Sequence, residues 1–103
     1  MRVHVNEGDR YDGRPLYRAI VELLRARGCA GATVQRAIMG FGSRRRIHSL
    51  LNELTAADLP LVVECVDAPA RLEGVLPELD RMIAGGLVTL ERARVVGRRP
   101  GVA

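Results

Sequence analysis

The segment Leu59-Pro-Leu-Val-Val-Glu-Cys-Val66 is a short apolar run that is rich in β-branched residues. It is too short for a stable helix, and its composition is typical of a strand. Because successive side chains of a strand point to opposite faces, Leu61, Val63 and Cys65 share one face and Val62 and Val66 the other. We therefore interpret the segment as a strand, and the elements on either side of it decide the fold.

Upstream of this strand, the hydrophobic pattern predicts two more strands and a helix. Val3 and Val5 alternate with polar residues, which is the period of a strand. Apolar residues after Pro15 recur at helical spacing until a glycine stops them. The upstream elements are a strand at residues 2–7, a helix from Pro15 to Gly28, a strand at residues 32–39 and a long connection at residues 40–58.

Downstream of the central strand, the pattern predicts a second helix and a last strand. Asp67 is expected to cap the helix, which has apolar residues at helical spacing. Pro77 lies inside this helix and is expected to kink or restart it. Gly85 and Gly86 end the helix, residues 87–96 form the fourth strand, and residues 97–103 form a flexible tail.

The resulting order is β-α-β-β-α-β, which defines an α+β class. It predicts the ferredoxin-like βαββαβ plan, an antiparallel four-stranded sheet with two helices on one face. The other face is uncovered, and Val62 and Val66 leave some apolar surface on it, beside the polar Glu64 and Gln35. Association of copies through the sheet is the simplest way to cover that surface.

The length and composition favour a single cytoplasmic domain. A chain of 103 residues suffices for one domain, predicted as residues 1–103 with a core at about residues 1–96. The first residues carry charge where a signal peptide is apolar, and no segment is apolar enough to insert in a membrane. All 16 basic residues are arginine, but a net charge of +4 is small for a duplex-binding protein.

No group of residues has the pattern of a catalytic site, so we expect a binding protein and no enzyme. His4 lies in a predicted strand. His48 lies beside Ser49, but adjacency in sequence does not create a nucleophile and its base.

Metal and disulfide chemistry have equally weak support. Glu7, Asp9 and Asp12 could hold a hydrated Mg²⁺, but loop solvation or a charge effect at the helix N-terminus explains them better. Cys29 and Cys65 are too few and too distant in sequence for a disulfide framework or a metal knuckle, and Cys65 is predicted to be a buried apolar residue.

RNA binding would need aromatic side chains on the central strands, on which bases stack. Aromatic residues make up 3% of the chain, and Tyr11, Tyr17 and Phe41 all lie outside the predicted strands. Nucleic-acid binding therefore remains only a weak, electrostatic alternative.

The residues best suited to bind a small anion begin the long connection, at residues 40–49. Glycines let backbone amides approach an anion, and arginines are forked donors. Three arginines supply about 5–9 kcal/mol, and micromolar binding needs about 8 kcal/mol, so a second wall is required. A solvated charged loop is the alternative interpretation. The candidate ligand-binding residues are Gly40, Gly42, Ser43, Arg44, Arg45, Arg46 and His48, with Gly85 and Gly86 of the same or a neighbouring subunit as the second wall.

Several short motifs in this order resemble a known family. The chain is similar to the PII-like family, a domain-of-unknown-function family of small bacterial proteins in the PII signalling superfamily. One departure is Arg44-Arg45, where small residues are expected before the Arg-Ile-His element, and the chain has no lysine to bind a phosphate. The matching motifs are Gly13-Arg-Pro-Leu-Tyr17, Ala30-Gly-Ala-Thr-Val34, Gly40-Phe-Gly42, Arg46-Ile-His48, Asp58-Leu-Pro60 and Gly86-Leu-Val-Thr-Leu90.

This resemblance implies a homotrimer with the sheets facing inward and adenine nucleotides bound in clefts between subunits. It also implies that residues 40–58 are a signalling loop that docks on a partner protein, and that residues 83–87 line the nucleotide cleft. Relatives are often encoded beside fluoride channels, which suggests a membrane transporter or ion channel as the partner. The alternative hypothesis is a protein–protein interaction module with no small-molecule ligand.

Overall fold

The computed structural model describes residues 1–42, 48–49 and 59–97, with backbone only for residues 48–49. These residues form two helices and several strands. In chain order the elements are β1 (Arg2–Asn6), β2 (Arg10–Tyr11), β3 (Arg14–Pro15), α1 (Leu16–Ala26), β4 (Thr33–Arg36), β5 (Met39–Gly40), β6 (His48–Ser49), β7 (Pro60–Glu64), α2 (Pro69–Met82) and β8 (Leu87–Thr89).

The main sheet has four strands in the spatial order β4-β7-β1-β8, and every neighbouring pair is antiparallel. Since β1 and β4 flank β7, the first β-α-β unit is split by a later strand, as the ferredoxin-like plan requires. The predicted α+β class and antiparallel four-stranded sheet are therefore confirmed.

The hydrophobic core lies between one face of this sheet and the two helices. Leu61, Val63 and Cys65 are at most 3% exposed, whereas Val66 is 57% exposed and Val62 is half-buried. The faces predicted for the central strand are therefore correct. The helices contribute Leu16, Ile20 and Leu24 from α1 and Leu72, Val75 and Leu79 from α2.

The opposite face of the sheet carries mostly polar side chains. Arg2 lies across from Glu64, and their Nε and Oε1 atoms are 3.2 Å apart. In a neighbouring row His4 pairs with Val62 on one side and Leu87 on the other. The apolar side chains in this row are Val62 on a middle strand and Leu87 on the edge strand β8.

The second strand is shorter than the predicted residues 32–39, because the ladder between β4 and β7 ends at the pair Arg36 and Leu61. The amide of Ala37 still donates to the carbonyl oxygen of Pro60, at 2.9 Å. Pro60 has no amide hydrogen to return a bond, so the ladder stops there. The chain then pairs again as β5.

The fourth strand is also shorter than predicted, since β8 covers only Leu87–Thr89 of residues 87–96. Its last pair joins Thr89 to Arg2, the first residue of β1. Beyond this pair β1 offers no further residue, so residues 90–96 have no partner strand in the described part of the chain, although Glu91 still lies 3.6 Å from Nη1 of Arg2.

Two details of α2 differ from the sequence predictions. The residue before the helix is Ala68, not Asp67, because Pro69 occupies the first helical position that proline favours. The helix also continues through Pro77 as one element and does not restart there. Neither described helix has the length and apolar character needed to cross a membrane.

A small hairpin, β2 with β3, occupies part of the stretch between β1 and α1. Its turn is Asp12-Gly13, and both residues have positive φ, +50° and +77°. Asp-Gly is a preferred sequence for tight hairpin turns of this kind. This local signal was present in the sequence and was missed.

Candidate functional site

The start of the long connection is a two-stranded ladder at the edge of the fold. β5 pairs antiparallel with β6, which places Met39 opposite Ser49 and Gly40 opposite His48. Two of the candidate residues, Gly40 and His48, are thereby brought together. Ser43, Arg44, Arg45 and Arg46 lie outside the described residues, as does the side chain of His48.

Gly40 packs so closely against Pro60 that there is little room for a side chain at position 40. A Cβ atom there would lie 3.1 Å from Cγ of Pro60, so a larger residue would press on the start of β7. Gly42 is exposed, and a Cβ atom there would meet nothing within 4 Å. Neither glycine has positive φ, so the structure gives only Gly40 a local steric reason to be glycine.

Glu7, which directly follows β1, contacts the chain on both sides of the long connection. The amide of Glu7 donates to the carbonyl oxygen of Leu59, at 2.9 Å, and the side chain of Glu7 forms an ion pair with Arg36. The Oε2 atom of Glu7 is buried and has no hydrogen-bond partner among the described residues. Glu7 and Arg36 are far apart in sequence, so no local pattern predicted this pair.

The acidic stretch that raised the question of Mg²⁺ has other local roles. Asp9 accepts a hydrogen bond from the amide of Asn6 through Oδ2, at 2.9 Å, and Asp12 forms the hairpin turn. Within the described ranges, no three His, Cys, Asp or Glu side chains come together in a group that could hold a metal ion.

Three large apolar side chains lie next to the roots of the connection and face solvent. Ile38, Met39 and Phe41 are 75%, 58% and 60% exposed. Exposed apolar residues grouped this closely in sequence are unusual on a protein surface and are typical of a surface that contacts another protein.

The second candidate wall, Gly85 and Gly86, lines a groove of about 700 Å³ between α2 and β8. Its apolar lining includes Leu76, Ile83 and Val88. Polar groups come from the carboxylates of Glu73 and Asp80, and none of the arginines that the structure describes lines the groove. Pro77 also lines it and cannot donate the usual helical hydrogen bond to the carbonyl oxygen of Glu73, so this part of the groove is rich in acceptors.

The two glycines of the groove have different reasons to be glycine. Gly86 has a φ of +154°, and a Cβ atom there would lie 2.6 Å from the carbonyl oxygen of His4. Its backbone therefore passes against β1 where no side chain fits. A Cβ atom on Gly85 would meet nothing within 4 Å, so Gly85 leaves space open in the groove.

The two candidate walls lie at one end of the sheet but at its opposite edges. Gly40 packs near Pro60, which pairs with Asn6, and Gly86 packs near Val5. Two strands, β7 and β1, separate β4 from β8. At about 4.8 Å for each strand spacing, the two edges are about 14 Å apart. The two walls therefore belong to different edges of the sheet.

The fold and these features define the class of the protein: a small α+β protein with a split β-α-β sheet and a long connection between the edge strand β4 and its neighbour β7. The family model DUF190, described as "Uncharacterized ACR, COG1993", matches residues 1–95. The chain belongs to this family, which is part of the PII-like superfamily.

Relatives of similar length support this assignment. The chain is 32% identical over 96 residues to UPF0166 protein MJ1524 of Methanocaldococcus jannaschii, covering 92% of this chain and 88% of the relative. It is 33% identical over 96 residues to a UPF0166 protein of Aquifex aeolicus, covering 93% and 90% of the two chains. A further Aquifex aeolicus UPF0166 protein is 35% identical over 68 residues, covering 66% of this chain and 71% of that protein.

Proposed function

We propose that this protein is a PII-like regulator that binds a nucleotide or another small anionic metabolite between subunits and acts on a partner protein. The placement of the two candidate walls carries the proposal. Because they lie at the same end but at opposite edges of one sheet, two copies side by side can bring a connection against a groove. This role requires binding and release of a ligand, and no catalysis.

The groove suits the uncharged part of such a ligand. Its apolar lining fits a flat base, and its carboxylates accept hydrogen bonds from amino or hydroxyl groups. A phosphate needs cations, and the lining of the groove includes none within the described part of the chain. The proposal therefore assigns the charge of the ligand to Arg44, Arg45 and Arg46 of a neighbouring copy.

Assembly follows from the same reasoning. The uncovered face of the sheet carries paired charges, such as Arg2 with Glu64, around the half-buried Val62. Such a face fits a second copy of itself, and the family resemblance favours a homotrimer. Light scattering tests this part, since a monomer at working concentration would exclude a site between subunits.

The connection at residues 40–58 is the segment proposed to contact the partner protein. Ile38, Met39 and Phe41 form an exposed apolar surface beside its roots, where a partner protein can contact both. The proposed partner class is a membrane transporter or ion channel. A cytoplasmic location follows from this role.

A thermal-shift screen of ATP, ADP, AMP and cyclic nucleotides, each with Mg²⁺, tests ligand binding. A ligand at about a hundredfold excess over its Kd stabilises the folded state by about 2.7 kcal/mol. Replacing Arg44, Arg45 and Arg46 with alanine should abolish the shift. The matched control, R25A with R92A and R94A, removes the same charge at exposed positions outside the site and should keep it. A flat response of the wild-type protein at millimolar ligand would contradict the proposal.

The alternative function, an interaction module with no small ligand, draws on the exposed Ile38, Met39 and Phe41. It predicts a flat ligand screen, together with capture of a partner that is lost when the arginines at positions 44–46 become alanine. Nucleic-acid binding remains the weaker alternative. It requires an affinity that falls steeply with added salt.

A further inference from the structure

Three contacts fix the turn after α1 against the segment that follows β7. The amide of Ala30 donates to Oδ2 of Asp67, at 2.8 Å. Arg71 donates to the carbonyl oxygen of Gly28 and lies 3.7 Å from Oδ1 of Asp67. Residues adjacent to Cys29 are thus held to a residue two positions after Cys65.

This arrangement brings the two cysteines into contact. The backbone of Cys29 is held by a hydrogen bond from its amide to Leu24, at 3.0 Å, and that of Cys65 by one to Met1, also at 3.0 Å. Cys29 packs against the buried core cluster that contains Cys65, and the two thiols are electrostatic neighbours. Both are free thiols in the structure, with Cys65 buried and Cys29 only partly so.

We propose that Cys29 and Cys65 are an oxidation site, at which a peroxide converts the two free thiols into an intramolecular disulfide. The proposal is independent of the proposed ligand. A disulfide needs its sulfur atoms at about 2 Å, and two neighbouring thiols can approach that distance by rotation of their side chains. The fold thus brings together two cysteines whose distance in sequence gave no sign of a disulfide.

The two thiols have different parts in the reaction. Burial and the neighbouring Cys29 raise the pKa of Cys65 to about 11, so Cys65 stays protonated and is slow to react with an oxidant. Cys29 is partly exposed and is the first to meet peroxide. Oxidation therefore begins at Cys29, and Cys65 resolves the intermediate.

The chemistry balances with hydrogen peroxide as oxidant. The sulfur of Cys29 attacks one peroxide oxygen, the O–O bond breaks, and the departing hydroxide takes the thiol proton to form water. This leaves a sulfenic acid on Cys29. The sulfur of Cys65 then attacks that sulfur, the S–O bond breaks, and the hydroxyl leaves as water with the proton of Cys65. Two thiols are oxidised and one peroxide is reduced to two waters.

The bond would close a covalent ring that contains β4, the long connection and β7. Cross-linking a long loop restricts the unfolded chain strongly, so the oxidised protein should be more stable than the reduced one.

The experiment treats the reduced protein, at low concentration, with hydrogen peroxide and measures intact mass and trypsin fragments. We expect loss of two hydrogens, a linked pair of fragments comprising residues 28–36 and 47–71, a higher melting temperature, and reversal by dithiothreitol. Cys29→Ser and Cys65→Ala should each abolish the linked pair. Cys29→Ser, at the partly exposed position, is the variant least disturbing to the core.

Two results would overturn the proposal. One is a wild-type protein in which peroxide adds oxygen to Cys29 and never links the two fragments. The other is linkage between separate chains only. Neither result depends on ligand binding, so the oxidation site and the proposed regulatory function fail separately.

Discussion

A Cβ atom on Gly86 would lie 2.6 Å from the carbonyl oxygen of His4, so the turn before β8 presses directly against the backbone of β1. The adjacent Gly85 has open space around the same position. The two neighbouring glycines of the groove therefore have different surroundings. A side chain at position 86 would clash with β1, whereas one at position 85 would only fill space in the groove.

Gly86→Ala should destabilise the protein by more than about 1 kcal/mol, because it combines a steric clash with an unfavourable φ. Gly85→Ala is the matched control and should change stability by no more than about 0.5 kcal/mol. Urea unfolding of the two variants measures both values. Equal effects of the two substitutions would show that β8 does not approach β1 as described.

Asp67→Ala should cost about 1–3 kcal/mol, because it leaves the amide of Ala30 without its acceptor and removes the carboxylate near Arg71. Asp67→Asn keeps one acceptor oxygen and should cost less. Chemical denaturation of both variants measures which substitution lowers the free energy of unfolding more. A larger cost for the asparagine variant would contradict the assigned hydrogen bond.

Gly74→Ala should stabilise the protein by about 0.5–1 kcal/mol, since Gly74 lies inside α2 and a Cβ atom there meets nothing within 4 Å. Gly28→Ala should have the opposite sign, because Gly28 has a φ of +79°. Thermal unfolding compares the two. A destabilising Gly74→Ala would mean that this helix face is covered by something absent from a single copy.

Stability of the reduced protein should fall as the pH rises from 9.0 towards 11. The pKa of Cys65 is raised from 9.0 to about 11, first by burial and then by Cys29, so in this window the unfolded chain has lost a proton that the folded protein retains. The stability that the protonated Cys65 contributes is fully present below pH 9.0. It is lost as the pH rises towards about 11, the pKa of Cys65 in the folded protein.

Urea unfolding of wild type and Cys65→Ala, both under reducing conditions, isolates this effect from other groups that titrate at high pH. The difference between the two proteins should shrink as the pH rises. A difference that stays constant across the window would show that the thiol titrates alike in the folded and unfolded chain.

The central elements of the fold could be predicted from the sequence, because their patterns are local. Alternation identified β1 and the two faces of β7, and helical spacing identified α1 and α2. The ends of elements were less predictable. β8 stops at Thr89 because its partner β1 begins at Arg2, and a window of residues 87–96 holds no information about that register.

For the candidate site, too, some features were predictable from the sequence and others were not. Glycine and arginine in residues 40–49 indicated an anion-binding segment from composition alone. Gly85 and Gly86, predicted as its second wall, line a groove, and their part in binding stays a prediction. Their separation by two strands was not predictable, since it depends on the strand order of the sheet. The proposed site between copies rests on that separation.

By itself, then, the sequence determined the fold class, the main strands and helices, and the family, because hydrophobic periodicity and short motifs act over neighbouring residues. Only the tertiary structure decided which distant residues meet. It paired Glu7 with Arg36, set Asp67 against Ala30, and brought Cys29 into contact with Cys65. Such contacts depend on strand order and register, which arise when the whole chain packs around one core.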